Sequence, residues 1–318
     1  MNLHPQIGLQ RLAYVGLTTP DAAGLCDFFE RALGFRLLTA GRRSSQELAG
    51  IAGSAGGAYR VTLGLGGEVI ELLQFDRPGR PYPEAASASD PCFQHFAIVV
   101  TDMAQAYQRI CSIGGWSAIS TGGPQQLPAT SGGVIAFKFR DPDGHPLELL
   151  AFPPAQSPAY WQGRSNEQLF LGIDHSAISV SDSARSIAFY EGLGLRIAAR
   201  SLNCGIEQER LDGVSKPHVE VTALTPRQAT PHLELLKYRS TAPDDEKGLR
   251  NNDVAATRLV FEAAQSSYGA ATQKQALTDP DGHHVLIVES AESRPSPTPH
   301  VSANGGVESV SAKREPAR

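Results

Sequence analysis

The feature that most limits how this chain can fold is a repeat of about eighty residues. The segments LAYVGLTTPD, FQHFAIVVTD, IDHSAISVSD and DVAATRLVFE align Tyr14, His95, His175 and Thr257, separated by 81, 80 and 82 residues. Other parts keep step: LCDFFERALGF matches IAFYEGLGL at an offset of 161, and VIELLQF matches HLELLKY, with Glu71 opposite Glu234, at 163. Such regularity describes one supersecondary unit used four times.

Within a unit, an alternating opener such as FQHFAIVV leads into a helix-like stretch, MAQAYQRICSIGG, that stops at a glycine pair. Apolar runs such as VIAFKFR and LELLAF follow, joined by the turn DPDGHP. The module is βαβββ and the fold class α+β. The fourth copy is short: its DPDG turn follows the second module's by 138 residues, 24 fewer than the 162-residue offset between halves, so much of its helix and next strand is expected to be missing. Modules are expected at about 8–80, 90–153, 170–240 and 250–290. They group into a domain over 8–153, a Pro-rich linker over 154–169, a domain over 170–290 and a disordered tail over 291–318.

Composition narrows the partners. Of 318 residues, 41% are hydrophobic and 19% charged, which suits a packed core. The formal net charge of -5 disfavours nucleic acid or an anionic membrane, and no apolar run reaches the roughly 18 residues that span a bilayer. A small-molecule substrate is expected, with the chain a monomer or homodimer. Cys26, Cys92, Cys111 and Cys204 have no CxxC spacing, so neither a zinc knuckle nor a disulfide framework is indicated and a reducing cytoplasm fits.

The period-two rule puts His95 with Phe93, Ala97 and Val99 on one strand face, and His175 with Ile173, Ala177 and Ser179 on another. The closing strands carry Glu148, Glu234 and Glu71 among leucines, where an ionised carboxylate is costly unless paired. Taken singly, a strand His or Glu is an ordinary core or surface residue. His at the opening strand and Glu at the closing strand, 53 residues apart in module two and 59 in module three, is one construction made twice. Imidazole plus carboxylate suits Fe, Mn, Ni, Co or Zn better than Mg or Ca.

The repeated unit, the FYEGLGL helix end, the DPDGHPLELL turn and the His-bearing openers resemble the vicinal oxygen chelate superfamily over roughly residues 10–290. That superfamily includes glyoxalase I, methylmalonyl-CoA epimerase, extradiol dioxygenases and bleomycin- or fosfomycin-resistance proteins. The resemblance implies paired modules forming half-barrels, with a divalent metal held by first-strand and last-strand residues of both. Pairing neighbours gives Tyr14, Glu71, His95 and Glu148, or His175, Glu234, Thr257 and Leu286, both incomplete as ligand sets. Pairing modules two and three gives His95, Glu148, His175 and Glu234, and that pairing is favoured on ligand chemistry. Resemblance to glyoxalase I then implies a lyase or isomerase in which the metal is a Lewis acid and Glu148 or Glu234 is the base. The alternatives are an extradiol dioxygenase on Fe(II), or a metal-free small-molecule sequestering protein.

Weaker candidates have ordinary explanations. His145, His283 and His284 are read as solvent-facing turn residues, and Arg42 and Arg43 as solvated cations or, alternatively, an attraction for an anionic substrate. Asn203, Glu207 and Gln208 belong to a polar stretch that is a surface loop or a pocket mouth, and Tyr14 is a half-buried strand aromatic or a weak ligand.

Overall fold

Each complete repeat runs its opening strand into an aspartate that starts a helix. The carboxylates of Asp21, Asp102 and Asp182 accept backbone N–H bonds from Gly24, Gln105, and Ala184 with Arg185, satisfying donors that a helix start leaves unpaired. The computed structural model describes residues 8–48, 50–51, 56–164, 168–239, 248–264 and 275–289. The expected tail at 291–318 and the place of the fourth module's helix, 265–274, lie outside these residues.

Module one comprises β1 (Leu9–Thr18), α1 (Ala22–Leu33), β2 (Arg36–Arg43), β3 (Ala58–Leu65) and β4 (Glu68–Phe75). Module two has β5 (Gln94–Val100), α2 (Met103–Ile113), the short β6 (Ser117–Ala118) and β7 (Gln125–Gln126), β8 (Ile135–Arg140) and β9 (Pro146–Ala151). Module three has β10 (Phe170–Ser179), α3 (Ser183–Gly192), β11 (Arg196–Cys204), an inserted α4 (Ile206–Asp212), β12 (His218–Thr225) and β13 (His232–Tyr238). Module four contributes β14 (Arg258–Ala263), β15 (Gln275–Thr278) and β16 (His284–Glu289).

The modules form two sheets. One has the order β15-β16-β14-β1-β4-β3-β2; the other runs β11-β12-β13-β10-β5-β9-β8-β6, with β7 on β8. Modules two and three therefore share a sheet, and one and four share the other. In every module the opening strand lies parallel to the closing strand, and across each seam the two opening strands, β5 with β10 and β1 with β14, are antiparallel.

Register corrects one alignment. His95 lies opposite Ala177 and His175 opposite Ala97, each two residues past the partner histidine. Tyr14 lies opposite Val260 and Gly16 opposite Arg258, so the module-four equivalent of these histidines is Arg258 rather than Thr257. A one-residue slip sends a strand side chain to the other face. Leu286, paired with Val260, does hold the carboxylate position.

The cores largely follow the chain halves, unlike the sheets, although β10 adds Phe170 and Ile173 to the first and β1 adds Leu9 and Leu12 to the second. One joins α1 and β3 of module one to α2 and β8 of module two, with Phe29 stacked on Phe96 at 6.3 Å. The other joins Ile178, Tyr190 and Leu235 of module three to Leu259, Phe261 and Val285 of module four.

The DPDG turns fasten one sheet to the other. Asp141 Oδ1 accepts the backbone N–H groups of Asp143 and His145, and Asp279 Oδ1 those of Asp281 and His283, with Gly144 and Gly282 at φ of 96° and 98°. His145 and His283 are not solvent-facing as expected: they are 1% and 3% exposed. His145 Nε2 lies 3.0 Å from Thr18 O and His283 Nε2 2.9 Å from Ser179 O, each reaching the last residue of a strand in the other sheet. His284 is also turned inward, with a buried Nε2 that has no hydrogen-bond partner. Replacing His145 by Ala should cost about 2–4 kcal/mol, because it strands Asp141 and the Thr18 carbonyl; urea unfolding measures this, and a change under 0.5 kcal/mol would contradict the fastening role.

Candidate metal centre

The antiparallel β5–β10 seam places two imidazoles on one face, and the parallel closing strands add a carboxylate beside each. His95 Nε2 is 2.8 Å from Glu148 Oε2, and His175 Nε2 is 3.6 Å from Glu234 Oε2. The two imidazole rings have centroids 5.8 Å apart. Ligand atoms of His95, Glu148 and His175 all lie within 4.8 Å of one another. The four residues expected to meet are thus brought to one cleft.

His95 gives a test of fit. Its Nε2 approaches Glu148 closely, yet neither ring nitrogen makes a hydrogen bond of acceptable geometry. Burial, with Lys138 and His175 adding to it, lowers its pKa against the pull of Glu148, so the ring is held neutral. A neutral imidazole nitrogen and a carboxylate oxygen that converge at this distance without a well-aligned hydrogen bond are a pair of donors suited to a shared cation.

His175 is oriented from behind. Its Nδ1 lies 3.0 Å from Asp174 Oδ2, while Asp174 Oδ1 accepts the indole N–H of Trp161 at 2.7 Å. That leaves Nε2 for the cleft, an outer-shell arrangement characteristic of ligating histidines. His232 sits next to it, with Nε2 3.5 Å from Glu234 Oε1 and Nδ1 3.9 Å from Asp174 Oδ2. Asp174, His175 and His232 form a second group whose donor atoms lie within 4.8 Å of one another.

Burial lowers the pKa of His175, but Glu234, Asp174 and Glu148 outweigh it and raise it to about 9. Burial works to raise Glu234, and the fields of His175 and His232 overcome it, holding the carboxylate well below the usual range. Glu148 and Asp174 are also lowered on balance, against burial, by Lys138 and His95 in one case and by His175 in the other.

A buried network roofs the cleft. Lys138 lies across the β8–β9 ladder from Glu148, and its Nζ is 2.7 Å from Asp212 Oδ1 at the end of α4. Asp212 Oδ2 also accepts from Gln208 Nε2 at 2.7 Å and Tyr238 Oη at 2.8 Å. Leu211 packs with Ala97 and Leu150 on the cleft face. The stretch around Asn203, Glu207 and Gln208 is accordingly the end of a strand and a helix, with Gln208 buried and Asn203 bonded to Ser131.

Other residues lie elsewhere. Tyr14 and Glu71 occupy the cleft of the other sheet, where Arg60 Nε is 2.5 Å from Glu71 Oε2. Arg42 pairs with Asp76 at 2.5 Å, and Arg43 stands near Glu47 at 4.0 Å. Sequence reasoning missed His232, Lys138, Asp174, Asp212 and Trp161. The alternation that placed Glu234 on the cleft face also places His232 there, and Lys138 inside VIAFKFR is as costly a charge as Glu148. Asp212 and Trp161 had no such signal.

The chain belongs to the Glyoxalase/Bleomycin resistance protein/Dioxygenase superfamily, whose family profile matches residues 11–149 and 172–300. Its fold is similar to that of glyoxalase I from Zea mays, with a TM-score of 0.56 and 19% identity, covering 88% of this chain and 92% of that one. It is also similar to a Bacillus subtilis strain 168 protein assigned provisionally as a dioxygenase, with a TM-score of 0.54 and 12% identity, covering 88% and 85%. No curated protein matches the sequence. At these identities the likeness is one of fold.

His175 sets a pH dependence for the metal-free protein. Its folded pKa of about 9 exceeds the ordinary imidazole value of 6.5, so its stabilising share is full below about pH 6.5 and is lost as pH rises through about 9. Thermal melting and urea titration of chelator-treated protein should show a loss of up to about 3 kcal/mol from pH 6 to pH 10, absent in His175→Asn.

Proposed function

We propose that this chain is a metal-dependent enzyme of glyoxalase type, a lyase or isomerase, with His95, Glu148, His175 and Glu234 holding a divalent transition metal. The observation that carries the reading is the buried convergence of His95 and Glu148, without a well-aligned hydrogen bond, on the same cleft as His175 and Glu234. Two nitrogens and two carboxylate oxygens suit Mn, Fe, Co, Ni or Zn. A divalent ion there would supply Lewis acidity toward a substrate carrying adjacent oxygens.

The protein groups divide the remaining work. Glu234 is the candidate base, since its side chain is 22% exposed against 8% for Glu148 and its neighbours hold it ionised. It would take a proton from the carbon beside a carbonyl. Glu148, fixed between His95 and the field of Lys138, is the anchoring ligand. Asp174 and Trp161 hold the His175 ring in place, and α4 excludes water from the cleft face. None of the four cysteines is in a disulfide, which supports a reducing, cytoplasmic setting. No helix among the described residues is long and apolar enough to cross a membrane.

One observation favours a second reading. His95, Glu148 and His175 are a two-histidine, one-carboxylate group, the donor set of Fe(II) dioxygenases, and they cluster without Glu234. Glu234→Gln separates the two: the glyoxalase-type reading requires proton abstraction to fall roughly 100-fold or more, while the dioxygenase reading leaves iron bound and turnover intact.

Protein purified without chelator should contain about one transition-metal ion per chain by elemental analysis. His175→Ala should lose it, and Tyr14→Ala should keep it. Deuterium incorporation next to the carbonyl of 2-oxoaldehyde–thiol adducts in D2O is the expected activity. Metal-free protein would favour sequestration, and a yellow ring-fission product from catechol in air would favour the dioxygenase.

A further inference from the structure

The cleft between β1 and β14 occupies the same place in its sheet as the metal centre does in the other, with different chemistry. The two histidine positions are Tyr14 and Arg258, and the two carboxylate positions are Glu71 and Leu286. Leucine offers no ligand and a guanidinium cannot bind a cation, so this cleft is no second metal centre. It is nevertheless built and hollow: a cavity of about 240 Å³ is lined by Tyr14, Arg43, Glu47, Leu48, Ile51, Arg60 and Glu71.

Arg258 is the unusual floor of this cleft. It is 1% exposed and lies over Gly16, where a Cβ would come within 3.0 Å of its Nε, so the glycine makes room for it. Nη1 and Nη2 donate to Thr18 Oγ1 at 2.8 Å and Leu17 O at 2.9 Å, but the buried Nε has no partner. The neighbouring His284 is held neutral, its pKa lowered to about 4 by burial and by Arg258, and its Nε2 is likewise without a hydrogen-bond partner. Tyr14 keeps its phenolic proton, because burial and Glu71 push its pKa up, and so remains a donor.

Charge selects the ligand. The cavity lining sets Arg43 and Arg60 against Glu47 and Glu71, and Arg258, outside that lining but close enough to feel the charge of Glu71, adds a third guanidinium. One negative charge would balance them, and among these cations it is Arg258 that is fully buried, at a cost that a nearby anion would reduce. Leu48 and Ile51 line the same cavity, so the balancing anion has an apolar body to bury as well as a charge. We propose that this cleft is a second, metal-free ligand site that takes one small organic carboxylate, its anionic end toward the arginines and its apolar end toward Leu48 and Ile51. The site is independent of the metal chemistry in the other cleft.

Calorimetry with benzoate, inorganic phosphate and benzylamine as probes tests this. Titrations use the full chain both as purified and as His175→Ala, so that benzoate held by metal is separated from benzoate held here. Benzoate should bind with a stoichiometry near one in both proteins, and phosphate and benzylamine at least roughly tenfold more weakly. Glu71→Gln removes the like charge and should tighten benzoate about tenfold. Arg43→Gln, at the rim, should weaken it about fivefold, and melting curves confirm that each variant is folded. The proposal is overturned if benzoate does not bind His175→Ala, if phosphate or benzylamine is preferred, if Glu71→Gln weakens binding, or if both variants leave it unchanged.

Discussion

The antiparallel meeting of opening strands is the constraint on which the rest of the molecule depends. Within one module a histidine and a carboxylate lie near one another, because opener and closer run parallel with Ala97 beside Glu148 and Ala177 beside Glu234. One module supplies only half a coordination set. The seam between β5 and β10 doubles it, since antiparallel pairing of identical strands creates a local two-fold relation. The same seam at β1 and β14 brings together Tyr14, Glu71, Arg258 and Leu286, and a different site results. The backbone frame is shared; the side chains on it set the chemistry of each cleft.

The costs of the candidate metal cleft are met by neighbours. It gathers Glu148, Glu234, Asp174 and Asp212 with Lys138 and three imidazoles in largely buried surroundings. Lys138 and Asp212 neutralise one another and tie α4 down, while Asp174 divides its oxygens between an indole and an imidazole. In the other cleft the Arg60–Glu71 pair holds the carboxylate, and the backbone carbonyl of Leu17 takes up part of Arg258. Polarity is concentrated where chemistry or binding is proposed; the faces turned toward the helices are aliphatic and aromatic.

Much of this was legible in the residues alone. The eighty-residue spacing gave the module, and the capping aspartates recur at 21, 102 and 182 for the same reason the histidines do. Ligand chemistry singled out the pairing of modules two and three, because only that pairing completes a donor set. What was hidden depends on contacts far apart in the chain. His145 reads as a turn residue until β1 is placed beneath it, and Asp212 is silent until α4 brings it to Lys138, 74 residues away. Arg258 was obscured for another reason: a short strand offers few alternating positions, so alignment could slip by one residue where pairing cannot.

The crossed relation between cores and sheets constrains how the molecule is assembled during synthesis. The first core can collapse once modules one and two have left the ribosome, but β1 then has an open edge until β14, some 240 residues later, is made. The sheet of modules two and three closes first, when β10 arrives to join β5. The nascent protein thus carries an unsatisfied edge through most of its translation. The outer cleft, with Arg258 as its floor, is the last part of the fold to exist.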